Sequence, residues 1–292
     1  MTSREQQAIA FDVLSRMPLL SRAWGTYLVV HSWMRQAQLL RTYGRWRQLS
    51  FRGVTLEFDF SSSHDAQVYD AIRKQGAYEP ETTAAIVDYL KPGDVFIDIG
   101  ANNGYYSILA AKAVGSGGRV IAVEPNESPF KRLLRNVELN GFGSVIQAIC
   151  AAAGRSSGVT TLFLSPRDDG WTSTRRRTPF PVRVQTIAID EVVTPPLRLT
   201  VKMDIEGDEL TALSGMQSLI GCSQRLALII EWNRKYASPA LRRVLFDNFV
   251  VYRILLTATG VELRLISEAE VERGISLCNL WCEKESSSVT KV

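Results

Sequence analysis

The run Val95 to Ser107, V-F-I-D-I-G-A-N-N-G-Y-Y-S, limits what this chain can fold into more than any other stretch. Val95 to Ile99 is a short apolar segment with β-branched residues, the pattern of a strand buried on both faces. Two glycines interrupt it before helix-forming residues resume at Tyr105. A strand, a tight turn and a helix start in that order let a ligand approach the backbone. The N–H groups of the helix's first turn favour an anionic group there.

Strands and helices alternate from this point. The spacing predicts a strand at Arg119 to Val123, a helix at Ser128 to Asn140, a strand at Val145 to Ile149 and a buried strand at Leu199 to Met203. A helix near Leu210, a strand at Leu226 to Ile230, a helix at Leu241 to Asp247 and an antiparallel closing pair at Val250 to Leu256 and Ser276 to Glu283 complete the series. Such alternation implies βαβ units with right-handed crossovers, hence a doubly wound α/β sheet. Thr161 to Leu164 and Val182 to Ile187 read as two more strands, separated by the polar run R-D-D-G-W-T-S-T-R-R-R-T-P. Insertions at a strand's end often line a substrate pocket, and Arg175, Arg176 and Arg177 can pair there with an acidic substrate or sit in solvent.

The front of the chain differs. Apolar residues at helical spacing between residues 4 and 49 predict two or three helices, Leu49 to Phe60 a hairpin and Ser63 to Lys74 a helix. Pro80 then stiffens a turn ahead of a helix beginning at Glu81 to Thr83. We divide the chain into a helical and hairpin extension (1–75), a catalytic domain (76–285) and a polar, disordered tail (286–292).

With 46% apolar and 22% charged residues the chain has the composition of a soluble globular protein. A formal net charge of +4 is too small to imply nucleic acid as a partner. Between Met1 and Arg52 eight arginines stand against only Glu5 and Asp12, interleaved with Trp24, Trp33 and Trp46. That segment can lie on a membrane surface, dock on its own domain or form a homodimer contact. Cys150, Cys222, Cys278 and Cys282 form no metal-binding pattern and read as free buried thiols, consistent with a cytoplasmic protein.

The glycine turn lacks the middle glycine of the dinucleotide fingerprint, since Asn102 stands there, so NAD is disfavoured. Glu124, 20 positions after Gly104, keeps the acidic residue that accepts bonds from ribose hydroxyls. A nucleoside bearing an amino acid, without a pyrophosphate, suits such a site.

Taken together, F-I-D-I-G-A-N-N-G-Y-Y-S, V-E-P-N and V-K-M-D-I-E-G-D-E, preceded by Y-E-P-E-T, resemble the FkbM family of S-adenosylmethionine-dependent methyltransferases over Gly76 to Trp232. The resemblance implies a class I methyltransferase fold, a seven-stranded sheet whose last strand is antiparallel. It also implies O-methylation of a small-molecule acceptor such as a sugar, lipid or secondary metabolite. Carried onto this chain, Asp98 and Gly100, Ala101, Asn102, Asn103 and Gly104, with Tyr105, hold the methionine end of S-adenosyl-L-methionine. Glu124 holds the ribose, and Pro125, Asn126 and Ala151 lie by the adenine. Relatives of this fold often carry an acidic residue after the third strand; Cys150-Ala151-Ala152 stands there instead.

Methyl transfer from a sulfonium to an alcohol needs alignment and removal of the acceptor's proton. Lys202, Asp204 and Glu206 alternate at the mouth of the fourth strand, and period two places them on one face if the strand runs that far. Asp204 is the candidate base or the holder of the cofactor's amino group, with Lys202 and Glu206 tuning it or pairing to orient the turn. Asp204, Glu206 and Glu231 can also take Mg²⁺ through oxygen ligands, although a site without metal is the favoured reading. His64, Tyr78, Glu79 and Trp171 can line the acceptor pocket, or serve only packing and capping. Asp190 reads as a cap. A cofactor-binding scaffold without catalysis, associated with a membrane, is the competing reading; carboxylate or nitrogen acceptors are further ones. Nucleic-acid methylation ranks lower because D-I-E-G replaces the N-P-P-Y kind of signature.

Overall fold

The computed structural model describes residues 34–165, 172–174, 178–196, 198–234, 236–275 and 277–284. The front helices predicted before residue 34, with His31, Trp24 and Trp33, lie outside the described residues, as do Trp171, Arg175, Arg176, Arg177 and the tail from Ser286. After a helical stretch at 34–43, β1 (Trp46–Phe51) and β2 (Val54–Asp59) form an antiparallel hairpin. Its two turn residues, Arg52 and Gly53, both have positive φ (48° and 72°), the geometry that matches strand twist in a tight hairpin. The hairpin starts three residues before the predicted Leu49. Helix α1 (Ser63–Gln75) follows, capped by Ser62, and α2 (Pro80–Tyr89) begins on Pro80.

The central sheet contains β3 (Val95–Ile99), β4 (Arg119–Val123), β5 (Ile146–Ile149), β9 (Arg198–Met203), β10 (Arg225–Asn233), β11 (Val250–Thr257), β12 (Gly260–Leu265) and β13 (Leu277–Glu283). Their spatial order is β12-β11-β13-β10-β9-β3-β4-β5. β3, β4, β5, β9 and β10 are parallel, and β13 runs antiparallel between β10 and β11. The seven strands and antiparallel last strand of the expected fold are present, and β12 adds an eighth at the edge.

Period two in the buried strands supplies two cores. Phe96, Val120, Ala122, Ala227, Ile229 and Trp281 pack on one face with the hairpin, α1, α2 and the helices α3 (Tyr105–Val114) and α4 (Glu127–Leu139). Ile97, Ile99, Ile121, Val123, Val201, Met203, Leu228 and Ile230 pack on the other. There they meet α5 (Glu209–Ser214), α6 (Gln217–Cys222), α7 (Pro239–Asn248) and α8 (Glu268–Gly274). Asp190 does cap, but a helix remote in sequence: its carboxylate accepts from the N–H groups of Ser218 and Leu219 in α6, at 2.8 and 2.9 Å.

β6 (Ala152–Ala153), β7 (Gly158–Phe163) and β8 (Pro181–Ile187) form a separate three-stranded sheet in the order β6-β8-β7. The two strands predicted around the polar insertion are therefore real but leave the main sheet. The cysteines are free, yet Cys150 and Cys222 are exposed, which corrects the expectation of four buried thiols. Burial pushes the Cys278 thiol up to about 12. No helix among the described residues is long and apolar enough to cross a membrane.

Candidate active site

The site begins where β3 and β9 end. Asp204 N–H donates to the Ile99 carbonyl at 3.0 Å, extending the pairing of the two strands by one bond. The loops then run so close that a Cβ on Gly100 would stand 2.1 Å from the Asp204 carbonyl oxygen, and Gly100 has φ +84°. Only glycine fits there.

Two residues on, Asn102 is also left-handed (φ 49°), and its N–H donates to Glu124 Oε2 at 2.9 Å. Asn126 N–H donates to Glu124 Oε1 at 2.8 Å. Two backbone donors thus fix a buried carboxylate at the end of β4. Around it opens a cleft lined by Gly100, Asn102, Glu124, Pro125 and Ala151 together with Asp204 and Glu206. Asn102 Oδ1 is buried and has no hydrogen-bond partner among the described residues. A buried acceptor without a donor is costly unless a ligand supplies one. That orphan, beside a fixed carboxylate and a turn stripped of side chain, suits an amino-acid-bearing nucleoside.

The remaining predicted cofactor residues stand behind the wall rather than in it. Asn103 turns its side chain away, donating to Asp65 Oδ1 at 2.8 Å and accepting from Tyr105 N–H. Tyr105 is buried, stacked on Phe51, and its hydroxyl accepts from Tyr78 N–H at 3.0 Å. Asn126 caps α4 through Ser128 N–H, Ala101 N–H donates to the Val123 carbonyl, and Gly104 sits against Leu133. Asp98 is buried under the floor, accepting from Ser107 Oγ at 2.6 Å. These six shape the turn, because the polar side chains among them are already engaged within the fold.

Beneath the cleft, Lys202 is nearly sealed from solvent and its Nζ lies 3.1 Å from Asp204 Oδ2 and 4.7 Å from the centre of the Tyr106 ring. Burial alone would lower the lysine's pKa, but Asp204, Glu79 and Asp98 outweigh it and the net direction is upward. Lys202 therefore stays an ammonium and is no base. Burial raises Asp98, against the opposing pull of Lys202 and Ser107.

Strand β9 stops at Met203, and Glu206 has φ +56° in the turn that follows, so period two does not carry Lys202, Asp204 and Glu206 along one strand. Lys202 ion-pairs with Asp204. The turn nevertheless gathers carboxylates: oxygens of Asp204, Glu206 and Glu231 lie within 4.8 Å of one another. Glu209 secures the turn itself, its Oε1 accepting from Gly207 N–H at 3.0 Å, and burial holds its pKa above the usual range.

Glu79 is buried at φ 44°, accepting from Tyr106 Oη at 2.7 Å and Asn279 Nδ2 at 2.8 Å, and His64 packs edge-on against Tyr78 at 5.8 Å. Neither Glu79, His64 nor Tyr78 lines the cleft. Residues that do line it and that the sequence reading passed over are Thr172, Ser173, Thr174, Ile205 and Asp208. The first three belong to the polar insertion, whose position at a strand's end was the available signal.

A mixed sheet of this order, with a glycine turn after its first parallel strand and an acid after its second, is the class I methyltransferase fold that the sequence resemblance implies. The methyltransferase FkbM domain pattern matches residues 98–251, and the chain belongs to that family. It is 28% identical over 146 residues to the hexuronic acid methyltransferase AglP of Haloferax volcanii, covering 49% of this chain and 58% of that one. To a protein-L-isoaspartate O-methyltransferase of Aeropyrum pernix it is 39% identical over 61 residues, 20% of this chain and 23% of that one. The chain thus spans about a quarter and somewhat over half of these curated relatives. A solved FkbM methyltransferase from Methylobacillus flagellatus shares 18% identity, with a TM-score of 0.43, 89% of this chain covered and 60% of that one.

Proposed function

We propose that this chain transfers the methyl group of S-adenosylmethionine to a hydroxyl of a sugar, lipid or secondary-metabolite acceptor. The observation that carries this is the Asp204 carboxylate, lining the cleft and ion-paired at 3.1 Å to the buried Lys202. The cofactor supplies an electrophilic methyl carbon on a sulfonium and leaves as a neutral thioether. Glu124 would hold its ribose, the glycine turn with Asn102 its amino-acid end, and Pro125 and Ala151 its base. Asp204 would take the proton from the acceptor hydroxyl and so free that oxygen's lone pair for the methyl carbon. Glu206 and Glu231 add negative charge beside the developing alkoxide's proton.

The similarity to a hexuronic acid methyltransferase favours a sugar-type acceptor. Methyl transfer assayed with isotope-labelled cofactor against uronic-acid-containing and neutral glycans tests this; transfer to neither, with transfer to peptides or amines instead, overturns the acceptor class. A second reading, contact with an anionic membrane surface by the basic front segment, draws on Trp46, which is 38% exposed between the guanidinium groups of Arg45 and Arg135 at 5.2 and 4.6 Å. Sedimentation with liposomes of anionic and of neutral lipid tests it, and equal recovery with both contradicts it.

A further inference from the structure

We infer that Asp208 is a positioning residue for cofactor binding, holding the segment Thr172–Thr174 in place as a wall of the cleft. Asp208 occupies the N-cap position of α5 and is almost fully buried, yet its side chain makes no capping bond. An aspartate there ordinarily accepts from an N–H of the helix's own first turn. Its Oδ2 instead accepts from Thr174, 34 residues earlier, through the backbone N–H at 3.3 Å and through the hydroxyl.

The neighbouring residue is pinned from two directions. Ser173 Oγ donates to the Glu206 carbonyl at 3.3 Å, while Ser173 and Phe163 exchange backbone bonds that tie the segment to β7. Thr172, Ser173, Thr174, Glu206 and Asp208 all line the cleft that Gly100, Asn102 and Glu124 also line. The turn that offers Asp204 is therefore latched to the Thr172–Thr174 segment, while Glu209 holds the backbone of that turn at Gly207. A local cap exchanged for a long-range bond between two segments of a cleft lining points to a constraint set by the cleft rather than by the helix.

This inference rests on reading the cleft as the cofactor's, and the test separates the two. Calorimetric titration with S-adenosylhomocysteine compares the parent chain with Thr174→Val, Thr174→Ser, Asp208→Ala and the double variant Thr174→Val/Asp208→Ala. One buried hydrogen bond to a charged acceptor corresponds to about tenfold in affinity. We expect Thr174→Val and Asp208→Ala each to weaken binding about tenfold, and Thr174→Ser to stay within about twofold of the parent. The double variant should be no weaker than Asp208→Ala alone, since that substitution already removes the hydroxyl bond that Thr174→Val removes. Circular dichroism confirms that each variant is folded, and Thr174→Val keeps the test open should Asp208→Ala fail to fold. Parent-like binding by Thr174→Val, a Thr174→Ser loss equal to the valine's, or additive losses in the double variant overturns the latch. A folded parent that binds no S-adenosylhomocysteine overturns the cofactor reading itself.

Discussion

Glu124 and Asp204 are both carboxylates at strand ends lining one cleft, and their surroundings give them different work. Glu124 is fixed by the N–H groups of Asn102 and Asn126, at 2.9 and 2.8 Å. A carboxylate held in this way is placed to orient a ligand. Glu124→Ala is therefore expected to weaken S-adenosylmethionine binding by about ten- to a hundredfold, the worth of one or two charge-assisted hydrogen bonds. Asp204 faces an ammonium and two further carboxylates, the setting of a proton acceptor. Asp204→Asn is expected to lower kcat by about a hundredfold or more, the range of a lost general base, with a smaller effect on cofactor affinity. Equal turnover by Asp204→Asn and the parent removes it from the mechanism. Lys202→Met removes the ammonium that lies 3.1 Å from Asp204 and is expected to destabilise the fold by about 3 kcal/mol in urea unfolding, because the carboxylates around it lose a buried cation. With Asp204 acting as proton acceptor rather than metal ligand, EDTA treatment should leave methyl transfer intact; a loss restored by Mg²⁺ would make Asp204, Glu206 and Glu231 ligands.

Among the elements, the turn after β9 carries the most chemistry per residue. In D-I-E-G-D-E, Asp204 and Glu206 face the cleft, Asp208 reaches Thr174, and Glu209 holds the backbone of Gly207. Glu209 also gives a pH signature. Burial raises its pKa in the folded chain, so between the unfolded and folded values the native state binds more protons and stability falls as pH rises. Glu209→Gln keeps an acceptor for Gly207 N–H and removes that titration. The variant's thermal midpoint should exceed the parent's at pH 7, and the gap should close below the usual carboxylate range.

How much of this was legible depends on what each element buries. β3 and β4 match their predicted bounds because apolar runs such as V-F-I-D-I are buried on both faces and bounded by turn residues. β12 escaped notice because it is an edge strand, largely exposed, where apolar and charged residues carry no burial signal. Helix α8 had a readable start, the capping box of Ser267 and Glu270, which the polar composition of E-A-E-V-E-R-G obscured. Within the site, Glu124 and Asp204 were readable from strand-end positions. The separation of Gly100, Asn102 and Ala151, which line the cleft, from Asn103 and Tyr105, which do not, was set by contacts with Asp65, Tyr78 and Thr83 far away in sequence.

At the scale of the molecule, the hairpin and α1 share one hydrophobic cluster with β3, α3 and α4. The front of the chain buttresses the glycine turn directly: Asn103 is held by Asp65, which is ion-paired to Arg132 at 3.2 Å. Asp65→Ala would leave Arg132 and Asn103 without that buried partner, and should both lower stability and loosen the turn. The expected loss is about 3 kcal/mol in urea unfolding, with weaker cofactor binding at temperatures where the chain is still folded. The central claim is that this cleft between the ends of β3, β4 and β9 binds S-adenosylmethionine and that Glu124 reads its ribose. Calorimetric titration of the folded parent and of Glu124→Ala with S-adenosylmethionine and S-adenosylhomocysteine tests it most directly. The account predicts one site per chain for each ligand in the parent and at least about tenfold weaker binding of both by Glu124→Ala; silence toward both ligands in the parent, or equal affinity in the variant, would contradict it.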